Sequence, residues 1–223
     1  LLSRADSAPS YLLIGGEAIA SSMWQELSQS DQTISYNVYG PTECTVDATI
    51  APIGVRGTLS KTERTRYSRQ LLLEDWGIKA QERIKDLKVF VAGAGGSGSP
   101  IITQLALLGV GRIRVCDHDA VHLSNLNRQF LHSVSPESRL TMNKALSAQR
   151  TVYNLNPHVR VEVVRERIDE HNVDELVGDA DIIFDSVDDF ATKFVLSNCA
   201  VQKGVPHLFY GMMDINSFGC IFY

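Results

Sequence analysis

The stretch Val89–Pro100, VFVAGAGGSGSP, decides the fold. Its apolar run stops on glycines, and Pro100 opens a second apolar run. This order predicts a strand, a tight turn and a helix whose first amides can hold a phosphate. Gly93, Gly95 and Gly98 have the spacing G-x-G-x-x-G, with Gly96 in the same turn, and no Cβ keeps an anion from the backbone. Ser99 is read as the helix N-cap and Pro100 as the first helical residue, where a missing N–H costs nothing. Asp117 closes the next predicted strand, where a carboxylate meets a ribose in dinucleotide sites. On these residues alone the turn holds the phosphate of a redox dinucleotide or of a nucleoside triphosphate, or is only a tight turn.

Outward from this turn, strands are predicted at Lys88–Ala92, Ile113–Asp117, Val159–Arg165, Asp181–Asp185, Pro206–Tyr210 and Phe218–Phe222. Helices are predicted at Pro100–Leu108, Asn143–Tyr153, Val173–Val177 and Ala191–Lys203. Strands interleaved with helices of this length give an α/β, Rossmann-like, doubly wound and mostly parallel sheet, covered on both faces. Such sheets bind ligands at the carboxyl ends of their strands, where the glycine turn sits.

The leading part of the chain has a different character. It reads as a strand at Tyr11–Ile14, a helix at Ala20–Gln29, a strand at Ile34–Tyr36 and a polar loop, NVYGPTECT. The stretch APIGVRGTLS, with Pro52, Gly54 and Gly57 and no periodicity, is the linker candidate. A charged run, SKTERTRYSRQ, and a helix at Asp75–Lys85 follow it. The resulting division is 1–57, a linker at 58–64, and 65–223. The chain opens on Leu1 and stops at Tyr223 within a strand-like run, so both ends are expected to be cut.

The 223 residues are 44% apolar and 21% charged, a globular composition. A net charge of −5 argues against a nucleic-acid binder, which needs a basic stripe. The four cysteines form no CxxC pair, so no zinc site is expected. No apolar run reaches the roughly 20 residues of a membrane span, and no signal peptide is visible. The expected location is cytoplasmic.

Charged residues near the turn separate the two nucleotide classes. A hydride-transfer site needs a flat apolar slot, whereas cleaving a triphosphate needs fixed cations and a carboxylate for Mg²⁺. Arg69, Arg128 and Lys144 can supply the cations, with Asn125 and its neighbour Ser124 displayed beside Arg128 in SNLNRQ. Asp188 of FDSVDDF follows a predicted strand end, where a metal carboxylate would sit.

Several blocks in order carry a family resemblance over Thr65–Tyr223: RYSRQLLL, GAGGSGSP, DHDAVHLSNLNRQFLH, Lys144, NLNPHV, DIIFDSVDDFATK and GVPHLFYG. This region resembles the ThiF/MoeB/HesA family, whose fold is shared by enzymes that activate ubiquitin-like proteins. The resemblance implies ATP-dependent adenylation of a C-terminal carboxylate on a small carrier protein or peptide, releasing pyrophosphate. It puts Gly96 against the nucleotide and Asp117 on the ribose. Asn125 and Arg128 would contact phosphates, Lys144 would hold the phosphate under attack, and Asp188 would bind Mg²⁺. Arg69 would reach the nucleotide site of a second subunit, which implies a homodimer. Asp189 and Lys193 stand where the family usually has Asn and Arg, so Asp189 is a second carboxylate that would either add to the Mg²⁺ site or raise its neighbour's pKa.

Two other functions compete with adenylation: a non-catalytic partner subunit of an activating heterodimer, and an NAD-dependent oxidoreductase suggested by the glycine turn. The leading segment raises another resemblance. LLIGGEAI followed by YNVYGPTECTVDATI is similar to the adenylation domains of nonribosomal peptide synthetases. There, the residues matching Tyr39, Thr42 and Glu43 stack on adenine, touch phosphate and bind Mg²⁺. The segment is far shorter than such a domain, so it is read as an incomplete fragment without a working site of its own.

Overall fold

The computed structural model describes residues 59–133 and 142–213, together with strands at 11–15, 34–39, 49–52 and 216–222. The chain divides into two compact units, Leu1–Asp86 and Leu87–Tyr223.

In the first unit, β1 (Tyr11–Gly15) pairs in parallel with β2 (Ile34–Tyr39), which pairs antiparallel with β3 (Thr49–Pro52). The helix expected at Ala20–Gln29, like Thr42 and Glu43, lies outside the described residues. Two helices follow, α1 (Lys61–Arg66) and α2 (Gly77–Asp86). The sequence reading missed α1, taking its charges for a linker and a loop, yet its start signal is written in SKTE. Ser60 Oγ accepts the Glu63 amide at 3.2 Å while Glu63 Oε2 accepts the Ser60 amide at 2.8 Å, a reciprocal cap. Lys85 Nζ lies 2.9 Å from the same Glu63 oxygen. Burial pushes the Glu63 carboxyl up, but the bonds from Lys85 and Ser60 outweigh it and bring it down to about 2.

The second unit is one sheet in the order β6-β5-β4-β7-β8-β9. In chain order it comprises β4 (Lys88–Ala92), α3 (Gly98–Leu108), β5 (Arg112–Cys116), α4 (Lys144–Leu155) and β6 (Arg160–Val164). Then come α5 (Val173–Val177), β7 (Ile182–Asp185), α6 (Phe190–Lys203), β8 (His207–Met213) and β9 (Asn216–Phe222). Five strands run parallel, and β9 adds an antiparallel edge.

Position in the sheet explains the composition of each strand. Central β4 and β7 are apolar because both faces are covered: Val89–Ala92 and all of β7 are buried. Next to the edge, β5 alternates, and Arg114 pairs across the ladder with Glu162 of β6 at 2.8 Å. Phe90, Ala92 and Ile183 join Val173, Leu176, Leu196 and Ala200 in one core beneath α5 and α6. Helices α3 and α4 pack on the other side, against β4, β5 and β6.

The order of the strands locates the site. The chain runs outward from β4 through β5 to β6, then crosses back to place β7 on the other side of β4. The switch point lies between the carboxyl ends of β4 and β7, where ligands enter sheets of this kind. Among the described residues, no helix is long and apolar enough to cross a membrane.

Candidate nucleotide site

The glycine turn after β4 has its carbonyls tied inward. The Ala92 carbonyl accepts the Ser186 amide at 2.9 Å and the Ser186 hydroxyl at 2.8 Å; that hydroxyl also lies 2.9 Å from the Gly93 carbonyl. His132 Nε2 donates to the Ala94 carbonyl at 2.6 Å. The Gly95 carbonyl takes the Ser99 amide at 2.9 Å and the Ser99 hydroxyl at 2.7 Å. On the donor side, the Gly93 amide goes to Cys116 and the Ala94 amide to Asp117 Oδ2, both at 2.8 Å. The amides of Gly95, Gly96, Ser97 and Gly98 have no partner among the described residues. Acceptors held inward and donors left over at a helix N-terminus make an anion-binding nest.

This arrangement corrects the reading of the helix start. The cap position is Ser97, which makes no side-chain cap bond, and Gly98 is the first helical residue. Ser99 is fully buried inside the first turn, where its hydroxyl donates back to Gly95 instead of accepting an amide. Pro100 then falls third, still within the turn whose N–H groups have no helical partner. Gly98 is fixed by close approach, since a Cβ there would lie 2.2 Å from the Gly93 carbonyl oxygen and 3.0 Å from Ser186 Oγ. At Gly93, φ is +88° and a Cβ would come within 3.0 Å of the Ser186 carbonyl.

The segment after β5 lies along the turn. The expected ribose ligand Asp117 is buried, with Oδ2 on the Ala94 amide and Oδ1 on the Asp119 amide at 2.9 Å. Its carboxylate therefore clasps the turn, while each oxygen keeps a further lone pair. Ser124 and Asn125 fall on a short 3₁₀ turn, Leu123–Asn125, with Ser124 exposed and Asn125 half-buried. Three later residues face three consecutive turn residues. His132 holds Ala94, Gln129 Nε2 lies 3.6 Å from a Cβ built on Gly95, and the Arg128 stem lies 3.8 Å from one built on Gly96. Arg128 is exposed, donating to Asn127 Oδ1 at 3.1 Å and more weakly to the Ser124 carbonyl at 3.4 Å. Burial lowers the pKa of His132, so its ring is neutral near pH 7, with the proton on the nitrogen facing the carbonyl.

Lys144 is the first residue of α4, whose N-cap is Asn143. Asn143 also donates to the carbonyls of Asp117 at 2.8 Å and Asp119 at 3.0 Å, fastening the helix start to this loop. The buried Lys144 ammonium lies 2.8 Å from Asp119 Oδ2, and this bond draws the Asp119 carboxyl below its ordinary range. Asp117, His118 and Asp119 lie close enough together to hold a metal ion, but both carboxylates already have these partners.

The end of β7 and the turn after it carry three carboxylates with different environments. Asp185 is fully buried, with Lys193 Nζ at 3.0 Å and His207 Nε2 at 3.3 Å; its Oδ1 also takes the Val187 amide at 3.1 Å. Asp189 caps α6, accepting the Thr192 amide at 2.8 Å. Burial pushes the Asp189 carboxyl up, but the Thr192 bonds outweigh it and the net shift is downward. Asp188 is exposed and has no hydrogen-bond partner among the described residues. Ser186 joins this turn to the glycine turn, so Gly93–Gly98, Asp117, Arg128 and Asp188 belong to one set of adjoining loops. Lys144 connects to that set through Asp119, whereas Arg69 is an exposed residue of the first unit, capping a 3₁₀ turn at Gln70–Leu72.

The sequence reading missed His132, Ser186, Asp185 and His207 as parts of the site. Asp185 had a signal, an acid closing the otherwise apolar strand IIFD; the others act through tertiary contacts without periodicity. Cys116 and Cys199 are buried free thiols. Burial, together with the charges of Asp117 and Glu166, pushes the Cys116 thiol up to about 12.

The sequence model of the ThiF family matches residues 67–222. The adenylyltransferase/sulfurtransferase MoeZ of Mycobacterium tuberculosis is 40% identical over 150 residues, covering 67% of this chain and 38% of MoeZ. The sulfur carrier protein adenylyltransferase of Thermus thermophilus is 37% identical over 164 residues, covering 74% of this chain and 59% of that protein. Among solved structures, the E. coli tRNA N6-threonylcarbamoyladenosine dehydratase TcdA in complex with ATP aligns with a TM-score of 0.63 and 27% identity, over 71% of this chain and 65% of that one. The chain thus spans less than two thirds of the length of each of these relatives.

Proposed function

The chain belongs to the ThiF family, and from that membership we propose that it uses ATP to adenylate the C-terminal carboxylate of a sulfur-carrier or ubiquitin-like protein, or of a peptide, with release of pyrophosphate. The observation that carries this reading is the row of amides at Gly95–Gly98 without partners among the described residues, with the Arg128 side chain over Gly96. The amides bind phosphate and Arg128 adds a cation beside them. Asp117, fixed at the end of β5, offers its remaining lone pairs to the ribose hydroxyls, and Ser124 and Asn125 add polar contacts to the phosphates. Lys144 has three donors, one of them on Asp119, and holds the α-phosphate oxygens as the carboxylate attacks. The acceptor carboxylate needs no general base, being ionised at neutral pH with a pKa of about 3.5.

Mg²⁺ fits this set of residues. Asp189 is committed to its helix cap and Asp185 to Lys193, which leaves Asp188 as the exposed hard oxygen donor beside the switch point. When bound, the ion neutralises phosphate charge that would otherwise repel the incoming carboxylate.

In this reading residues 65–223 form the adenylating domain and 1–57 a partial segment similar to a nonribosomal peptide synthetase adenylation domain, while the connection at 58–64 already carries the capped start of α1. Arg69 serves the nucleotide site of a second copy in a homodimer, in the cytoplasm. ATP–pyrophosphate exchange tests the proposal, run with small carrier proteins ending in glycine and, separately, with free amino acids. Carrier-dependent exchange that is lost in Arg128→Ala is the expected result. Exchange with an amino acid alone would move the activity to the leading segment and overturn it.

A further inference from the structure

We propose that His132 is a positioning residue for ATP, acting on phosphate through the peptide plane between Ala94 and Gly95; this rests on the ATP reading above. A trans peptide unit is planar, so its C=O and N–H point in opposite directions. The Ala94 carbonyl is turned into the protein by a 2.6 Å bond from His132 Nε2. The Gly95 N–H at the other end of that plane is thereby aimed away from His132, into the row of donors at 95–98. Each neighbouring plane has its own anchor: Ser186 on the Gly93 carbonyl and Asp117 on the Ala94 amide for one, Ser99 on the Gly95 carbonyl for the next. His132 is the side chain that fixes the plane between them.

The anchor matters here because Gly95 has no Cβ to resist rotation of that plane. A Cβ built on Gly95 would meet only Gln129 Nε2, at 3.6 Å, so the glycine itself is not packed in place. If the plane turns over, the Gly95 donor is replaced at the site by the Ala94 carbonyl, whose partial negative charge repels phosphate. The burial of His132 and the depressed pKa that keeps its ring neutral suit a fixed donor that adds no charge beneath the nest.

The test compares His132→Leu, which removes the donor, with His132→Gln, whose side-chain amide keeps an N–H donor. Affinity for ATP and for adenosine is measured by calorimetry on the whole chain. The expectation is about tenfold weaker ATP binding in His132→Leu with adenosine affinity unchanged, and most of the ATP affinity regained in His132→Gln. Adenosine lacks the phosphates, so general loosening of the site would weaken both ligands, and that result overturns the assignment. ATP affinity within twofold of wild type in folded His132→Leu also overturns it and leaves the ATP reading standing. Should His132→Leu not fold, His132→Gln decides alone: near-wild-type ATP affinity supports the donor role, and a selective loss of ATP affinity sinks it. Absence of ATP binding in the wild-type chain would instead overturn the functional reading, and this assignment with it.

Discussion

Two turns stand side by side at the carboxyl ends of β4 and β7, and they reach a similar end by opposite means. The turn after β4 uses almost no side chains of its own. Its glycines let the backbone fold tightly, and Ser186, Asp117 and His132 reach in from elsewhere to orient the peptide planes. The end of β7 and its turn are built from side chains, three of them carboxylates. Asp185 looks inward to Lys193 and His207, Asp189 caps α6, and Asp188 is left facing solvent. A phosphate needs donors, which backbone amides provide; a cation needs acceptors, which acids provide. In both turns most polar groups hold the loop, and only a few remain for a ligand.

If Asp185 is structural and Asp188 functional, the two substitutions to Ala should diverge widely. Asp185→Ala removes the carboxylate that the buried Lys193 ammonium faces, and breaking a buried pair in this way costs about 3–5 kcal/mol. Urea denaturation should show that loss, and a change under about 1 kcal/mol would refute the structural role. Asp188→Ala should leave stability within about 0.5 kcal/mol while lowering pyrophosphate exchange on the order of 100-fold. Retained turnover would remove Asp188 from the Mg²⁺ site.

The glycine turn should be sensitive in a different way, to added volume. Gly98→Ala forces a Cβ against the Gly93 carbonyl, and overpacking of this kind costs about 1–3 kcal/mol, only partly offset by the better helix propensity of Ala. Gly96→Ala meets nothing closer than the Arg128 stem at 3.8 Å, so it should fold normally. Equal melting temperatures for the two variants would show that the turn relaxes and that Gly98 is not fixed by close approach.

The two turns also differ in how far they could be read from sequence. Local signals fixed the second unit's elements closely: the spans of β4 and α5 agree to the residue, because apolar runs bounded by glycine, charge or a turn leave little room for shift. The glycine turn was legible for the same reason, its spacing being a local property of the chain. The division of labour among Asp185, Asp188 and Asp189 was not legible, since it depends on Lys193 and His207 arriving from α6 and β8. Ser99 was misplaced by a competing local bond, its hydroxyl donating to the carbonyl four residues back rather than capping the helix. His132 was passed over because a buried ring bonded to a distant carbonyl leaves no pattern in its own neighbourhood.

Asp189 provides the smallest and most specific test of the contrast. Its carboxylate caps α6, and its folded pKa lies below the ordinary value despite the opposing effect of burial. A depressed folded pKa means that the ionised cap adds stability above the unfolded pKa of about 3.9. That contribution is lost as pH falls through the lower folded value. Asp189→Ala should therefore reduce stability by about 1 kcal/mol at pH 7, and the difference from wild type should shrink at pH 3. Asp189→Asn keeps an acceptor oxygen at the cap without a titrating group, so it should lie near wild type at pH 7 and keep its cap at pH 3. Thermal melts of the three proteins at both pH values distinguish the outcomes. A pH-independent gap between wild type and Asp189→Ala would mean that geometry alone holds the cap, and the acidic turn would then resemble the glycine turn more than its composition suggests.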